Sequence, residues 1–267
     1  MSAVEIAPYQ IEAYNAAKAS ENRIHDDDVA QKFGFLGGLV PGVDVYAYMA
    51  HLPVRKWGRA WLEHGAATCR FLKPVYDGDI ATVTATTADD EGLAIELTSR
   101  DEVCATGLAR LPAATQPPSA TEYRVVPVAK SRPEASEVTL AAGLWLNTEP
   151  FPLTAEFAAQ YLGDVRETDP LYERERIAPP GMLLRLCNWV LTQNVVLGPW
   201  MHVGSTIRHY SAAHVGETLG VRARIADNRE HKGHRFVDVD ALVLAGARPV
   251  AHVLHTAIWR PRQIADT

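Results

Sequence analysis

Residues 180–196 read PGMLLRLCNWVLTQNVV. From Met182 to Val196 most positions are apolar, so a helix built on them is hydrophobic almost all round and has to be buried. The Pro-Gly pair in front of it also stands at Pro41-Gly42, 139 residues earlier, where it again leads into an apolar stretch, Val43 to Leu52. Trp61 and Gly65 recur as Trp200 and Gly204 at the same offset, and Arg70-Phe71 as His209-Tyr210. Gly78-Asp79 matches Gly216-Glu217 at 138, a slip that one deleted residue explains. A long offset that holds over many residues marks a duplication. After each helix come four runs rich in Val, Thr and aromatic residues, the composition of strands. They are Ala66 to Val75, Ile80 to Thr87, Leu93 to Ser99 and Val103 to Leu111, answered by Ser205 to Ala213, Leu219 to Ala226, Arg235 to Leu244 and Val250 to Trp259. A long buried helix followed by an antiparallel meander predicts a sheet curled around that helix. Two such units side by side predict one continuous sheet in an α+β protein.

Leu111 to Glu134 holds Pro112, Pro117, Pro118, Pro127 and Pro133 among Ser, Thr and Ala, which is linker composition. The expected organisation is a first unit over residues 1–111, a linker over 112–134 and a second unit over 135–267. The 267 residues are 47% apolar and 22% charged, with 18 Gly and 17 Pro, as in ordinary globular enzymes. With 26 basic against 32 acidic residues the net charge is −6. No basic run exceeds the pair Arg55-Lys56, so no footprint for a phosphate backbone exists and nucleic acid is not an expected partner. Cys69, Cys104 and Cys187 stand far apart in apolar runs, which supplies neither a disulfide framework nor a CxxC site and fits a reducing compartment. The absence of an 18-residue apolar stretch and of a basic leader predicts a soluble, cytoplasmic protein without a membrane partner. No G-x-S-x-G, Walker or G-x-G-x-x-G string is present, so serine hydrolase and nucleotide-fold readings have no support.

Gly42 and Gly181 each begin a buried helix, so their backbone N–H groups leave a helix N-terminus, where partial positive charge favours a developing oxyanion. The turn itself explains the Pro-Gly pairs equally well. Residues 20–35 read SENRIHDDDVAQKFGF and residues 71–79 FLKPVYDGD. With Leu39-Val40-Pro41-Gly42 between them, this first half resembles the MaoC-like (R)-specific enoyl-CoA hydratases and dehydratases. Their motif is Asp, any residue, Asn, Pro, any residue, His, then a short helix, Gly-Phe and a His-Gly or Pro-Gly. The resemblance implies a double hotdog fold, two tandem units each with a long central helix wrapped by an antiparallel sheet, the second being degenerate. It implies a lyase that adds or removes water at an α,β-unsaturated or 3-hydroxyacyl thioester, held through coenzyme A or another pantetheine handle and with no other cofactor. It assigns acid–base work to His25, its orientation to Asn22 and the oxyanion hole to Gly42. Adding water to such a thioester needs those parts: a base for the water, an acid for the α-carbon and donors for the enolate.

The sequence departs from the motif where the Asp belongs, since Ser20 stands there and Arg23 replaces the Pro. Glu21, one residue displaced, is a substitute carboxylate; alternatively His25 works with Ser20 or a water, or the site only binds a thioester. Hydrolysis by a hotdog thioesterase and a non-catalytic acyl-CoA binding subunit are the competing functions. In the second half Glu167 falls at the acid position and Tyr172 at the His position, and the nearness of Tyr172 to Gly181 suggests that a short helix has been lost there. His25-Asp26-Asp27-Asp28 reads as helix capping rather than a metal site, and Gly233 as a hairpin tip. His252 and His255, three apart on a strand, face opposite sides of the sheet. Tyr46, Trp189 and Trp200 read as core. Whether two chains form a homodimer stays open.

Overall fold

The computed structural model describes residues 6–88 and 92–262. In chain order the elements are β1 (Tyr9–Glu12), a 3-10 turn (Arg23–His25), α1 (Asp27–Gln31), α2 (Gly42–Trp57), α3 (Arg59–His64), β2 (Ala66–Phe71), β3 (Ile80–Thr87), β4 (Leu93–Ser99) and β5 (Glu102–Arg110). The second half supplies β6 (Trp145–Asn147), β7 (Phe151–Pro152), α4 (Ala155–Asp164), α5 (Leu171–Glu175), α6 (Pro180–Thr192), β8 (Met201–His209), β9 (Thr218–His231), β10 (His234–Ala245) and β11 (Arg248–Arg260). The strands form one sheet in the order β1-β3-β4-β5-β2-β8-β11-β10-β9-β6, with β7 also on β9. Every pairing is antiparallel. The two halves thus repeat one topology outward from the β2–β8 seam, where Ala66 faces Arg208 and Cys69 faces Ser205.

The repeat extends to individual hydrogen bonds. Ala13 N–H donates to Asp79 C=O and Gly78 N–H to Ala13 C=O, while Leu153 N–H donates to Glu217 C=O and Gly216 N–H to Leu153 C=O. Val40 N–H donates to Val75 C=O as Ala178 N–H does to Ala213 C=O. Between these anchors run residues 14–39 in one half and 154–177 in the other, spans of nearly equal length. The expected loss of a short helix in the second half is therefore corrected: that span carries both α4 and α5. Matching Tyr172 to His25 places the string out of step.

Both central helices are apolar on nearly all sides because sheet and neighbouring helix enclose them. In α2 every residue from Val43 to Val54 is buried. The apolar run was expected to end at Leu52, before Pro53, yet the helix continues to Trp57. Proline removes one internal hydrogen bond, and burial of the surrounding turns outweighs that loss. β9 runs past Ala226 to a two-residue turn in which Lys232 and Gly233 both have positive φ, 52° and 78°, the backbone of a type I′ hairpin. β8 begins at Met201, four residues before the apolar pattern suggests, directly after Trp200.

The proline-rich stretch lies along the sheet face turned away from the helices. Arg208 on β8 donates to Ala113 C=O at 2.7 Å, Arg222 on β9 to Ala120 C=O at 2.9 Å, and Tyr123 Oη to Asp240 on β10 at 2.7 Å. Tyr123 also covers Leu242 and Leu244, which are buried on that face. Composition suggests a loose tether; the chain here is a strap.

Helix α6 meets α2 at Gly181. A Cβ there would lie 2.5 Å from Tyr161 Oη, 2.7 Å from Ala47 Cβ and 2.9 Å from Val43 C=O. The second Pro-Gly thus serves helix contact and has no room for a ligand. Gly181→Ala is expected to destabilise the protein by about 1–3 kcal/mol through overpacking, read as a lower urea midpoint at unchanged slope.

Candidate active site

His25 ends the 3-10 turn, which Asn22 caps by accepting from Ile24 N–H. Its Nδ1 lies 2.6 Å from Leu39 C=O. A carbonyl can only accept, so Nδ1 carries the proton and Nε2 presents its lone pair. Burial, partly offset by the Leu39 bond, holds the imidazole below its usual 6.5, so the ring is neutral near pH 7.

Asn22 is fixed from the second half. Its Nδ2 donates to Trp200 C=O at 3.0 Å and its Oδ1 accepts from Trp200 N–H at 3.2 Å, which sets the amide orientation unambiguously. The remaining Nδ2–H reaches His25 Nε2 at 3.2 Å. That is a long bond, open to competition from a better-placed donor such as water.

His25 stands where two cavities meet. One, of about 240 Å³, runs between the start of α2 and β2 and is lined by apolar groups that include Val45, Phe71, Met201 and Ile258. The other, about 490 Å³, opens toward Arg132, Arg185 and Gln193. Asn22, His25, Pro41, Asn188 and Trp200 line both. Gly42 borders the apolar cavity, and a Cβ there would come within 3.2 Å of the His202 and Phe71 rings. Pro41 provides no side-chain cap for α2, and among the described residues no acceptor meets the Gly42 N–H. The uncapped end of a 16-residue helix therefore opens on the cavity with its partial positive charge.

The structure brings together His25, Asn22 and Gly42. Ser20 and Glu21 line the open cavity alongside His25 and Asn22 but make no hydrogen bond to the imidazole. Ser20 is exposed and its Oγ donates to Asn22 C=O at 3.4 Å. Glu21, with its side chain 76% exposed, pairs with Arg132 at 2.8 Å at the mouth of the open cavity. Arg132, itself bonded to Thr192 C=O, holds the Glu21 carboxylate in that pair. The apolar cavity has no carboxylate in its wall. Asp26 caps α1 by accepting from Val29 N–H, and Asp27 accepts from Gly38 N–H, so these acids organise the loop. In the second half the Glu167 side chain is buried, accepting from Thr168 and Asp169 N–H and bonded to His51, while Tyr172 is core. Tyr46 is core as expected, whereas Trp200, though buried, lines both cavities and Trp189 lines the open one.

Sequence reading missed Asn188 on α6 and the buried His202, Ser205 and His255 behind it. A signal for Asn188 existed: in an otherwise apolar helix it follows Arg185 by three residues, so both polar groups share one face. Arg185 uses that face to pair with buried Asp44 of α2 at 2.8 Å, tying the halves together.

No family model matches the chain, and no curated relative does. Solved structures do. A MaoC-domain protein from Chloroflexus aurantiacus J-10-fl, described as a dehydratase, superposes with a TM-score of 0.62 at 14% identity, over 96% of this chain and 94% of that one. Rv0216 of Mycobacterium tuberculosis, described as a double hotdog, gives 0.63 at 15% identity over 96% of both chains. A Lactobacillus plantarum protein described as an oleoyl thioesterase gives 0.55 at 11% identity over 96% of both. The chain is therefore a double hotdog protein. It shares that fold with MaoC-like dehydratases and with thioesterases alike. No helix among the described residues is long and apolar enough to cross a membrane.

Asn22→Ala removes the hydrogen bonds to Trp200 and is expected to cost about 1–3 kcal/mol. Glu21→Gln, at an exposed ion pair, is expected to stay within about 0.5 kcal/mol of the parent. Paired urea melts check both.

Proposed function

We propose that the chain is a hydratase/dehydratase acting on an α,β-unsaturated or 3-hydroxyacyl thioester. The observation that carries this reading is a neutral His25, its Nε2 lone pair at the junction of an apolar and a polar cavity, close to a helix N-terminus whose Gly42 N–H is unpaired. The acyl group occupies the apolar cavity and the pantetheine arm of coenzyme A leaves through the open one, so the thioester sits at the junction.

In hydration a water displaces the long Asn22 contact and gives a proton to His25 Nε2 while its oxygen bonds to C3. Electrons move to the thioester oxygen, where the Gly42 N–H stabilises the enolate. The enolate collapses and C2 takes the proton back from Nε2. Water is added and His25 returns to its starting tautomer; dehydration runs the same steps backward. With no carboxylate beside it, His25 serves as both base and acid. The Nδ1–H bond to Leu39 C=O keeps the ring aimed throughout.

The test is incubation with crotonyl-CoA and, separately, butyryl-CoA, following enoyl absorbance and free thiol. Loss of enoyl absorbance without thiol release is expected. Thiol release from butyryl-CoA would instead support a thioesterase, and neither signal a binding protein. His25→Ala is expected to lower turnover by ~10²–10⁴-fold at nearly unchanged melting temperature.

The pH profile supplies a second check. His25 must be unprotonated to accept a proton, and burial lowers its pKa, so kcat/KM rises with pH and is expected to level off with a midpoint below 6.5. A midpoint above 6.5 would remove the buried imidazole as the base.

A further inference from the structure

Behind the junction, three polar side chains are buried in the sheet of the second half: His202 at 8%, Ser205 at 6% and His255 at 0% exposure. Burying polar groups is costly unless each is paired, and apolar side chains would pack there at less cost. Their hydrogen bonds run in one direction. His202 Nε2 lies 3.1 Å from Gly204 C=O and 2.8 Å from Ser205 Oγ. The carbonyl only accepts, so Nε2 is the protonated nitrogen and Ser205 Oγ accepts from it. The Ser205 proton then goes to His255 Nδ1 at 3.0 Å. Burial holds the His255 pKa down at about 3, so this ring is neutral and its other nitrogen carries the hydrogen. That nitrogen, Nε2, donates to Asn188 Oδ1 at 2.9 Å.

The amide orientation of Asn188 is therefore settled: oxygen toward His255, both N–H groups of Nδ2 toward the cavities. Among the described residues no acceptor meets that Nδ2. At the junction, Asn22 is committed to Trp200 and His25, and the Pro41 carbonyl accepts from Asp44 and Val45 N–H. Among the described residues, the Gly42 N–H of the first half and Asn188 Nδ2 of the second are donors there without an acceptor.

We propose that Asn188 is a catalytic residue whose Nδ2–H donates to the thioester carbonyl oxygen alongside the Gly42 N–H, and that His202, Ser205 and His255 are positioning residues that hold its amide in this orientation. The oxyanion hole is thus built from both halves of the chain. The proposal rests on the thioester reading of the site but not on hydration itself.

The experiment separates the two. Butyryl-CoA and its thioether counterpart S-butyl-CoA, which lacks the carbonyl, are titrated calorimetrically into the parent protein and into Asn188→Ala and Asn188→Asp. The parent is expected to prefer the thioester, and both variants to lose about tenfold of that preference; Asn188→Asp keeps an acceptor for His255, whereas Asn188→Ala also leaves that buried ring unpaired and melts lower. With crotonyl-CoA, Asn188→Ala is expected to lose about 10²-fold in kcat with a smaller change in KM. His255→Leu is expected to lower kcat, and His255→Gln, which keeps a donor toward Asn188, to restore most of it. A parent that shows the preference without hydrating crotonyl-CoA keeps the proposal and removes the hydratase reading. Normal turnover and preference in Asn188→Ala, or a parent indifferent to the carbonyl, would overturn it. Equal losses in the two His255 variants would overturn the positioning role.

Discussion

The antiparallel ladder between β2 and β8 is the interaction on which the rest depends. Each half alone would end in an open strand edge, and such edges invite pairing with other chains. Joining them gives one sheet and sets the two long helices side by side on its inner face. The junction of the cavities follows from that placement. Trp200, the residue before β8, grips Asn22, and the seam strand carries His202 and Ser205, so the loop of one half and the helix of the other meet at His25. A shift of this ladder by one residue would turn every side chain on β8 to the opposite face and dismantle the site from behind.

The two Pro-Gly pairs demonstrate how a repeated motif takes different work. At Gly181 the space beyond the backbone is filled by Tyr161 and by α2. At Gly42 it is bounded by the His202 and Phe71 rings and continues into the apolar cavity. The difference comes from the spans that precede each pair: residues 154–177 fold into helices that pack inward, whereas residues 14–39 form turns, a loop and only the five-residue α1, and leave a cleft beside His25. The asymmetry is one of packing, since hydrogen-bond anchors and strand order are the same in both halves.

Much of this architecture can be read from the residues. Two apolar stretches behind Pro-Gly, each followed by four strand-like runs, are local patterns, and local patterns carry secondary structure. The alternation that sends His252 and His255 to opposite faces is likewise local: His252 bonds Asp240 on the strapped face and His255 points to the core. Strands as short as β6 and β7 carry too few residues for a period to register. The continuation of α2 past Pro53 depends on burial from both sides, which propensity does not contain. In the site, the motif residues His25, Asn22 and Gly42 come from one stretch and were legible together. Asn188 depends on partners on β8 and β11, and only the folded sheet brings these into contact. The placement of Glu21 depends on Arg132, 111 residues away, a partner that local pattern does not reveal.

The strap along the outer sheet face makes the two halves one gene product. In an assembly of two identical hotdog subunits, any substitution arises twice, once in each symmetry-related site, and must be tolerated in both. A covalently joined pair escapes that rule. Tyr161 can close one cleft while its counterpart stays open, and a polar relay can be installed on one side of the seam without its mirror image on the other. In a fused chain one half is thereby free to become the wall of the other's pocket.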